Sequence, residues 1–198
     1  MKKKIIYNII ASLLLSLLPL SLLSCIFIKN KPYNWWYTIS DTYYISPVFP
    51  IITILIIVFM LFCFSKNKME NTFLTLIVIS LLGIVLFPCS NVYGLIRVGI
   101  FNLPDKTSSF FHTFFSVVMI TFSFFEIHFV FYPTITNRRV KKLFYLYFSL
   151  IVLGSAIFIL GKTKIFPKYY ELFSELIILI GCSASWFTKS FYLTNDNN

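Results

Sequence analysis

Charged residues are scarce in this chain, and acidic residues are the scarcest of them. Only 7 of the 198 residues are Asp or Glu, 17 are Lys or Arg, and 58% are hydrophobic. A soluble domain of this length could not bury so much apolar surface, whereas a helix bundle in a bilayer presents apolar side chains to hydrocarbon. The composition therefore excludes an ordinary soluble protein and predicts an integral membrane protein.

The sequence also lacks the common motifs of enzymes. It contains no His-Glu-x-x-His zinc motif, no Gly-rich phosphate loop and no nucleophile elbow, and its 4 cysteines do not have metal-binding spacing. The net charge of +10 does not indicate nucleic acid, because Lys and Arg stand in short runs between apolar segments. No nucleic-acid partner is expected, and whether the protein is an enzyme stays open.

The chain does contain apolar segments long enough for transmembrane helices, which need about 20 mostly apolar residues. None shows the alternation of a transmembrane strand. Six segments approach the required length, at about residues 5–28, 48–64, 71–88, 110–132, 143–160 and 172–191. The predicted fold is therefore all-α, a polytopic membrane protein with a six-transmembrane-helix bundle that forms a single transmembrane domain over residues 1–198.

The distribution of Lys and Arg predicts the orientation of this bundle. With a cytoplasmic N-terminus, ten of these residues fall on the inner side and seven on the outer side, and the strongest cluster is residues 138–142 in the fourth loop. Positive residues favour the cytoplasmic side. The protein is thus expected in the inner (cytoplasmic) membrane with both termini in the cytoplasm.

The N-terminal segment has a second interpretation. Three lysines at residues 2–4, followed by an apolar run, resemble a lipoprotein signal with Cys25 as the lipidated residue. Against this interpretation, Leu23 fits such a signal poorly and residues 26–28 continue the apolar run. An uncleaved first helix is therefore expected.

Polar residues inside two of the apolar segments follow helical spacing. On the fourth predicted helix, one face carries His112, Ser116, Met119, Ser123 and Glu126. On the sixth, one face carries Glu171, Glu175, Cys182, Ser185 and Lys189. We expect both stripes to turn away from lipid, because polar groups are costly in hydrocarbon and form hydrogen bonds between helices.

The predicted topology places several reactive side chains at one level near the outer surface. These candidate catalytic residues are Asp41, Ser90, His112 and Glu175. A histidine with carboxylates can bind zinc or transfer a proton, so Asp41, His112 and Glu175 are also candidate metal ligands, with zinc as the candidate cofactor. The alternative for His112 is a structural hydrogen bond to a neighbour, with Asp41 as the suggested partner.

The order of several elements resembles one known family. The elements are residues 38–44, similar to a Ser-Ile-Ser-Asp-Tyr-Tyr pattern, residues 87–90, similar to Phe-Pro-Thr-Ser, His112 opening the fourth helix, and the last helix from Glu175 to Lys189. From the second helix to the C-terminus, the chain thus resembles the bacterial membrane proteins grouped as domain-of-unknown-function family 998. Thr42 and Cys89 depart from the pattern. The resemblance implies a six-helix membrane fold and an outer-face polar site, and it implies no reaction because the family has no assigned activity.

Three classes of function follow from these features. The leading hypothesis is a lipid- or protein-interacting membrane component with an outer-face polar cluster, which engages membrane lipid, a membrane-protein partner or a second copy of itself. One alternative is a membrane-embedded hydrolase, with or without a metal. The other is a small-solute or proton-coupled transporter, whose candidate path is the stripe from His112 to Glu126. The lack of a catalytic motif favours the first class, and the lack of internal repeats counts against a secondary transporter.

Overall fold

The computed structural model of the protein describes residues 2–21, 38–65, 67–89, 96–161 and 170–195. Its helices are α1 (Lys2–Leu17), α2 (Val48–Leu61), α3 (Lys68–Leu86), α4 (Asp105–Phe125), α5 (Arg138–Gly161) and α6 (Tyr170–Asn195). A 3-10 helix (Ser40–Tyr44) precedes α2, and a short antiparallel hairpin of β1 (Arg97–Val98) and β2 (Leu103–Pro104) precedes α4. The predicted all-α fold is confirmed.

Among the described residues, four helices are long and apolar enough to cross a membrane, namely Lys68–Leu86, Asp105–Thr134, Arg138–Gly161 and Tyr170–Tyr192. The apolar stretches of α1 and α2 are shorter. At 1.5 Å per residue, the 14 residues of α2 extend over about 21 Å, against about 30 Å for a typical hydrocarbon core. Helix length and composition therefore identify a membrane protein with four candidate spans, and the count of six stays a prediction.

The first helix is shorter than its apolar segment suggested. Its regular part ends at Leu17, and a turn follows in which the N–H of Ser21 donates to the carbonyl of Leu18 at 3.0 Å. Pro19 explains the interruption, because proline has no N–H to continue the helical hydrogen bonds and its ring crowds the preceding turn. Residues 22–28 of the predicted span, including Cys25, lie outside the described residues.

Four other helices begin earlier than predicted, and the difference is largest for α4, at Asp105 rather than 110, and α5, at Arg138 rather than 143. The difference arises because hydropathy marks the apolar part of a helix and not its polar first turn. At α5, the side chain of Asn137 accepts hydrogen bonds from the N–H of Arg139 at 2.9 Å and of Val140 at 3.4 Å. This N-cap starts the helix within the basic cluster.

The end of α4 differs from a regular α-helix. Beyond Phe125 it continues as a π-helical turn (Glu126–Phe131) and a last α-helical turn (Tyr132–Thr134). Pro133 lies in that last turn, where it cannot donate a backbone hydrogen bond and its ring needs space toward the preceding turn. The wider π-helical turn gives that space.

The packing of the helices leaves a gap on one side of the bundle. Helix α1 packs against α2 and α6, α3 packs against α2 and α4, and α5 packs against α6. Helix α4 touches α5 and α6 only lightly. By contrast, α5 and α6 approach closely at Gly154 and Gly181, where an added Cβ would lie 2.6 Å from Ile178 Cγ1 and 2.9 Å from the carbonyl oxygen of Tyr147, respectively.

Both polar stripes turn toward the interior, as predicted. At most 7% of the residue surface is exposed at His112, Ser123 and Glu126 on α4 and at Cys182, Ser185 and Lys189 on α6. The ammonium of Lys189 lies 3.5 Å from a carboxylate oxygen of Glu70 on α3 and 3.8 Å from the centroid of the Phe131 ring. A lysine buried at this depth is therefore accommodated by a carboxylate and an aromatic face.

Candidate functional site

Asp41 is fixed by a reciprocal pair of hydrogen bonds at the start of the 3-10 helix. The N–H of Thr38 donates to Asp41 Oδ2 at 2.8 Å, and the N–H of Asp41 donates to Thr38 Oγ1 at 3.1 Å. This is the bonding of a capping box, in which residues three apart satisfy each other's free backbone donors. Sequence reasoning missed the role of Thr38, although a Thr-x-x-Asp pattern is a signal for it.

Glu175 on α6 holds the same segment from the other side. Its Oε2 accepts a hydrogen bond from the N–H of Ile39 at 2.7 Å, and its Oε1 accepts one from the hydroxyl of Ser40 at 3.4 Å. Asp41 and Glu175 are therefore brought together through one short segment, residues 38–41. The sequence could not show this contact, because 136 residues separate Ile39 from Glu175.

His112 is positioned by the chain that follows α3. Three consecutive carbonyls there accept side-chain donors: Phe87 from His112 Nδ1 at 2.9 Å, Pro88 from the hydroxyl of Ser108 at 2.8 Å, and Cys89 from the hydroxyl of Tyr44. These carbonyls follow the last residue of α3, Leu86, so they take their donors from side chains instead of helical N–H groups. The predicted structural hydrogen bond of His112 is present, and its partner is the carbonyl of Phe87 rather than Asp41.

The hydrogen bond of His112 also determines its tautomer. A carbonyl oxygen can only accept, so Nδ1 carries the proton, and in the neutral ring Nε2 is then an acceptor. His112 is 7% exposed and lines a cavity between the helices. The carbonyl of Ile84 also lies near the ring, and since Nδ1 is bound to Phe87, a ligand in the cavity could form a hydrogen bond with the ring only at Nε2.

Cys89 contacts the same carboxyl group as Thr38. Its thiol donates to Asp41 Oδ1 at 3.3 Å. Burial raises the pKa of Asp41, although the hydrogen bonds from Thr38 and Cys89 act in the opposite direction. Burial and the neighbouring Asp41 raise the pKa of the Cys89 thiol well above its ordinary value. Cys89 is thus a protonated hydrogen-bond donor rather than an activated nucleophile.

Asp41, His112 and Glu175 all line one cavity with a volume of about 420 Å³. The polar end of this cavity is formed by residues 38–41 together with His112, Glu171 and Glu175. Every helix contributes to its apolar walls, with Leu15, Phe49, Leu81, Met119, Ile159 and Leu179 as examples from α1 to α6. The gap beside α4 is therefore a cavity with one polar end.

The other predictions for the site have mixed outcomes. Ser90 lies outside the described residues. Within the part of the chain that the structure describes, no group of three His, Cys, Asp or Glu side chains is placed to hold a metal ion. Asp41, His112 and Glu175 thus share a cavity without forming a three-ligand group.

These features define the class of the protein, a helical membrane protein with a polar-ended cavity between its helices. Comparison of the chain with protein-family models, with curated proteins and with solved structures gives no match.

Proposed function

We propose that this protein binds a lipid or lipid-like amphiphile in the cavity between its helices. The observation that supports the proposal is the cavity of about 420 Å³, which has apolar walls and one polar end. Small-molecule sites typically have volumes of about 300–1,000 Å³ and combine apolar walls with a few polar groups. The walls suit a hydrocarbon chain, and the polar end suits a head group.

The route into the cavity supports a ligand that comes from the bilayer. Val117 on α4 and Ile159 on α5 line the cavity and are 51% and 66% exposed. The cavity therefore reaches the apolar surface of the bundle where α4 and α5 touch only lightly. A hydrocarbon chain entering there would pass from lipid to apolar side chains without crossing water.

We further propose a bacterial inner-membrane location with six spans and both termini in the cytoplasm. The excess of Lys and Arg on the predicted inner side supports this orientation, as do the exposed Arg138 and Arg139 at the start of α5. With this orientation, the polar end of the cavity is at the outer face of the membrane.

Filling the cavity tests the proposed binding. Ser116 lines the cavity and is half-buried. Its hydroxyl donates a hydrogen bond to the carbonyl of His112 on its own helix, at 2.9 Å. We expect Ser116→Phe to occupy the space of the ligand. The amount of amphiphile extracted per purified chain, measured by mass spectrometry, should then fall severalfold below that of the wild type.

Ser149→Phe is the matched control. Ser149 is exposed on α5, and its hydroxyl makes the same kind of bond, to the carbonyl of Tyr145 at 2.8 Å. This variant should keep the wild-type amount of amphiphile. The proposal is wrong if the wild type carries none, or if a Ser116→Phe protein with unchanged Tm carries as much as the wild type.

A further inference from the structure

Most of the hydroxyl groups that line the cavity direct their protons into the protein. Six of them donate to backbone carbonyls of their own helices: Thr53, Thr113, Ser116, Thr121, Ser155 and Ser174. A seventh, Ser40, donates to Glu175. Each of these hydroxyls can then offer a ligand only the lone pairs of its oxygen.

The ionisable groups of the cavity also offer a ligand hydrogen-bond acceptors. Both oxygens of Asp41 and both oxygens of Glu175 accept hydrogen bonds from the protein. Glu171 accepts one from the hydroxyl of Tyr170 at 2.9 Å. The neutral ring of His112 has an acceptor at Nε2, because Nδ1 donates to the carbonyl of Phe87.

The ionisable side chains that line the cavity favour the same kind of ligand as its hydrogen-bond acceptors do. Among the described residues that line the cavity, there are three carboxyl groups, on Asp41, Glu171 and Glu175, and no Lys or Arg. An anionic head group would find few donors among these side chains and would be repelled by any of the carboxyl groups that is ionised, so the loss of its hydration would not be offset. An ammonium group brings three donors and a positive charge, and it needs no donor from the protein.

We infer that the amphiphile carries a head group that donates hydrogen bonds and has no negative charge, and that an ammonium group binds more tightly than a hydroxyl. This inference rests on the proposed binding of an amphiphile in the cavity, and it adds the chemistry of the head group. It excludes fatty acids and anionic phospholipids as the preferred ligands. The apolar walls do not distinguish the hydrocarbon chains of these ligands. The head group is therefore selected at Asp41, His112 and the two glutamates.

Three probes with the same chain, dodecylamine, dodecanol and dodecanoate, test the inference. Each competes with a fluorescent long-chain alcohol for the full-length protein in an uncharged detergent. The expected order of affinity is amine, alcohol, carboxylate, with at least about tenfold between the amine and the carboxylate, the size of effect that one hydrogen bond to a charged group produces. Displacement of the probe is read as loss of its fluorescence in the bound state.

Variants locate the selection within the cavity. Glu175→Gln should weaken binding of the amine by about tenfold. It should weaken binding of the alcohol much less, because the alcohol has no charge for the carboxyl group to attract. Glu171→Gln should act in the same direction, and it leaves the bonds from Glu175 to residues 39 and 40 in place. Asp105→Asn is the control, because it removes a carboxylate from the first turn of α4 that does not line the cavity; all three affinities should stay as in the wild type.

The possible results separate this inference from the function on which it rests. If dodecanoate binds as tightly as dodecylamine, or more tightly, the inference about the head group is wrong and the cavity still binds amphiphiles. If neither glutamate variant changes the preference for the amine, the carboxylates do not select the head group. If the fluorescent alcohol binds the wild type and Ser116→Phe equally, the proposed function itself fails.

Discussion

At the scale of single residues, burial and hydrogen bonding have opposite effects on the pKa of Asp41. The N–H of Thr38 and the thiol of Cys89 donate to its oxygens and favour the carboxylate, whereas burial favours the protonated acid. Burial has the larger effect, and the charge of Glu171 adds to it, so the pKa of Asp41 lies above its ordinary value of 3.8. The folded protein therefore binds this proton more tightly than the unfolded chain does.

The raised pKa of Asp41 predicts a pH dependence of stability. The stabilisation from its protonation is fully present below the ordinary pKa of 3.8 and is lost as the pH rises through the higher pKa of the folded state. We expect the Tm of the wild type, freed of bound amphiphile, to fall across this range relative to Asp41→Asn, because the amide does not titrate. Parallel profiles of Tm against pH for the two proteins would contradict the raised pKa.

His112 illustrates what a sequence can and cannot indicate about one residue. Its position on the polar face of α4 predicted its burial, because that face must avoid lipid. Its partner was not predictable, since the carbonyl of Phe87 is available only where α3 ends before Pro88. The tautomer, and with it the acceptor at Nε2, follows from that partner.

At the scale of elements, the pairing of α5 with α6 depends on small residues at the contact. Gly181→Ala would place a Cβ 2.9 Å from the carbonyl oxygen of Tyr147 and 2.9 Å from Ile151 Cγ1. The backbone carbonyl cannot move away as a flexible side chain could, so the helices must separate. We expect a loss of about 1–3 kcal/mol of stability, typical of overpacking, measured as a lower Tm in detergent.

Ser149→Thr is the control for this variant, since it also adds one methyl group, at an exposed site on α5. Its Tm should match that of the wild type. An unchanged Tm for Gly181→Ala would show that α5 and α6 do not pack as closely as described.

The ends of the helices show where apolar patterns stop being informative. A pattern of apolar residues detects the part of a helix that crosses lipid, so it located each of the six long helices in the described part of the chain. It does not detect the cap at Asn137 or the break at Pro19, because those depend on single side chains and on one missing N–H. Local rules for caps and proline would have corrected both ends from the sequence.

At the scale of the whole molecule, the two ends of α6 have different roles. Near its start, Glu175 binds the segment before α2 beside the cavity, and near its end Lys189 lies 3.5 Å from Glu70 on α3. The two residues are about 21 Å apart along the helix, at 1.5 Å per residue. The helices lie apart around the cavity at one end of the bundle. Toward the opposite end, a buried ion pair joins α6 to α3.

The proposed orientation predicts a labelling pattern on either side of α4. Ile100 in the hairpin is 71% exposed, and Arg139 at the start of α5 is also exposed. With Cys25 replaced by Ser, Ile100→Cys should react with a membrane-impermeant maleimide in intact bacterial cells, and Arg139→Cys should react only after permeabilisation. The reverse pattern would invert the orientation, and reaction of both in intact cells would show that α4 does not cross the membrane.

The sequence by itself determined that the chain is a helical membrane protein whose polar stripes face inward. Those features depend on the cost of placing each side chain in hydrocarbon, which acts on every segment without regard to its neighbours. Only the tertiary structure decided that Asp41, His112 and Glu175 line the same cavity, and that the hydroxyls around them present acceptors. These features depend on which helices adjoin and which carbonyls lack partners, and contacts over 136 residues, such as that of Ile39 with Glu175, leave no local pattern in the chain.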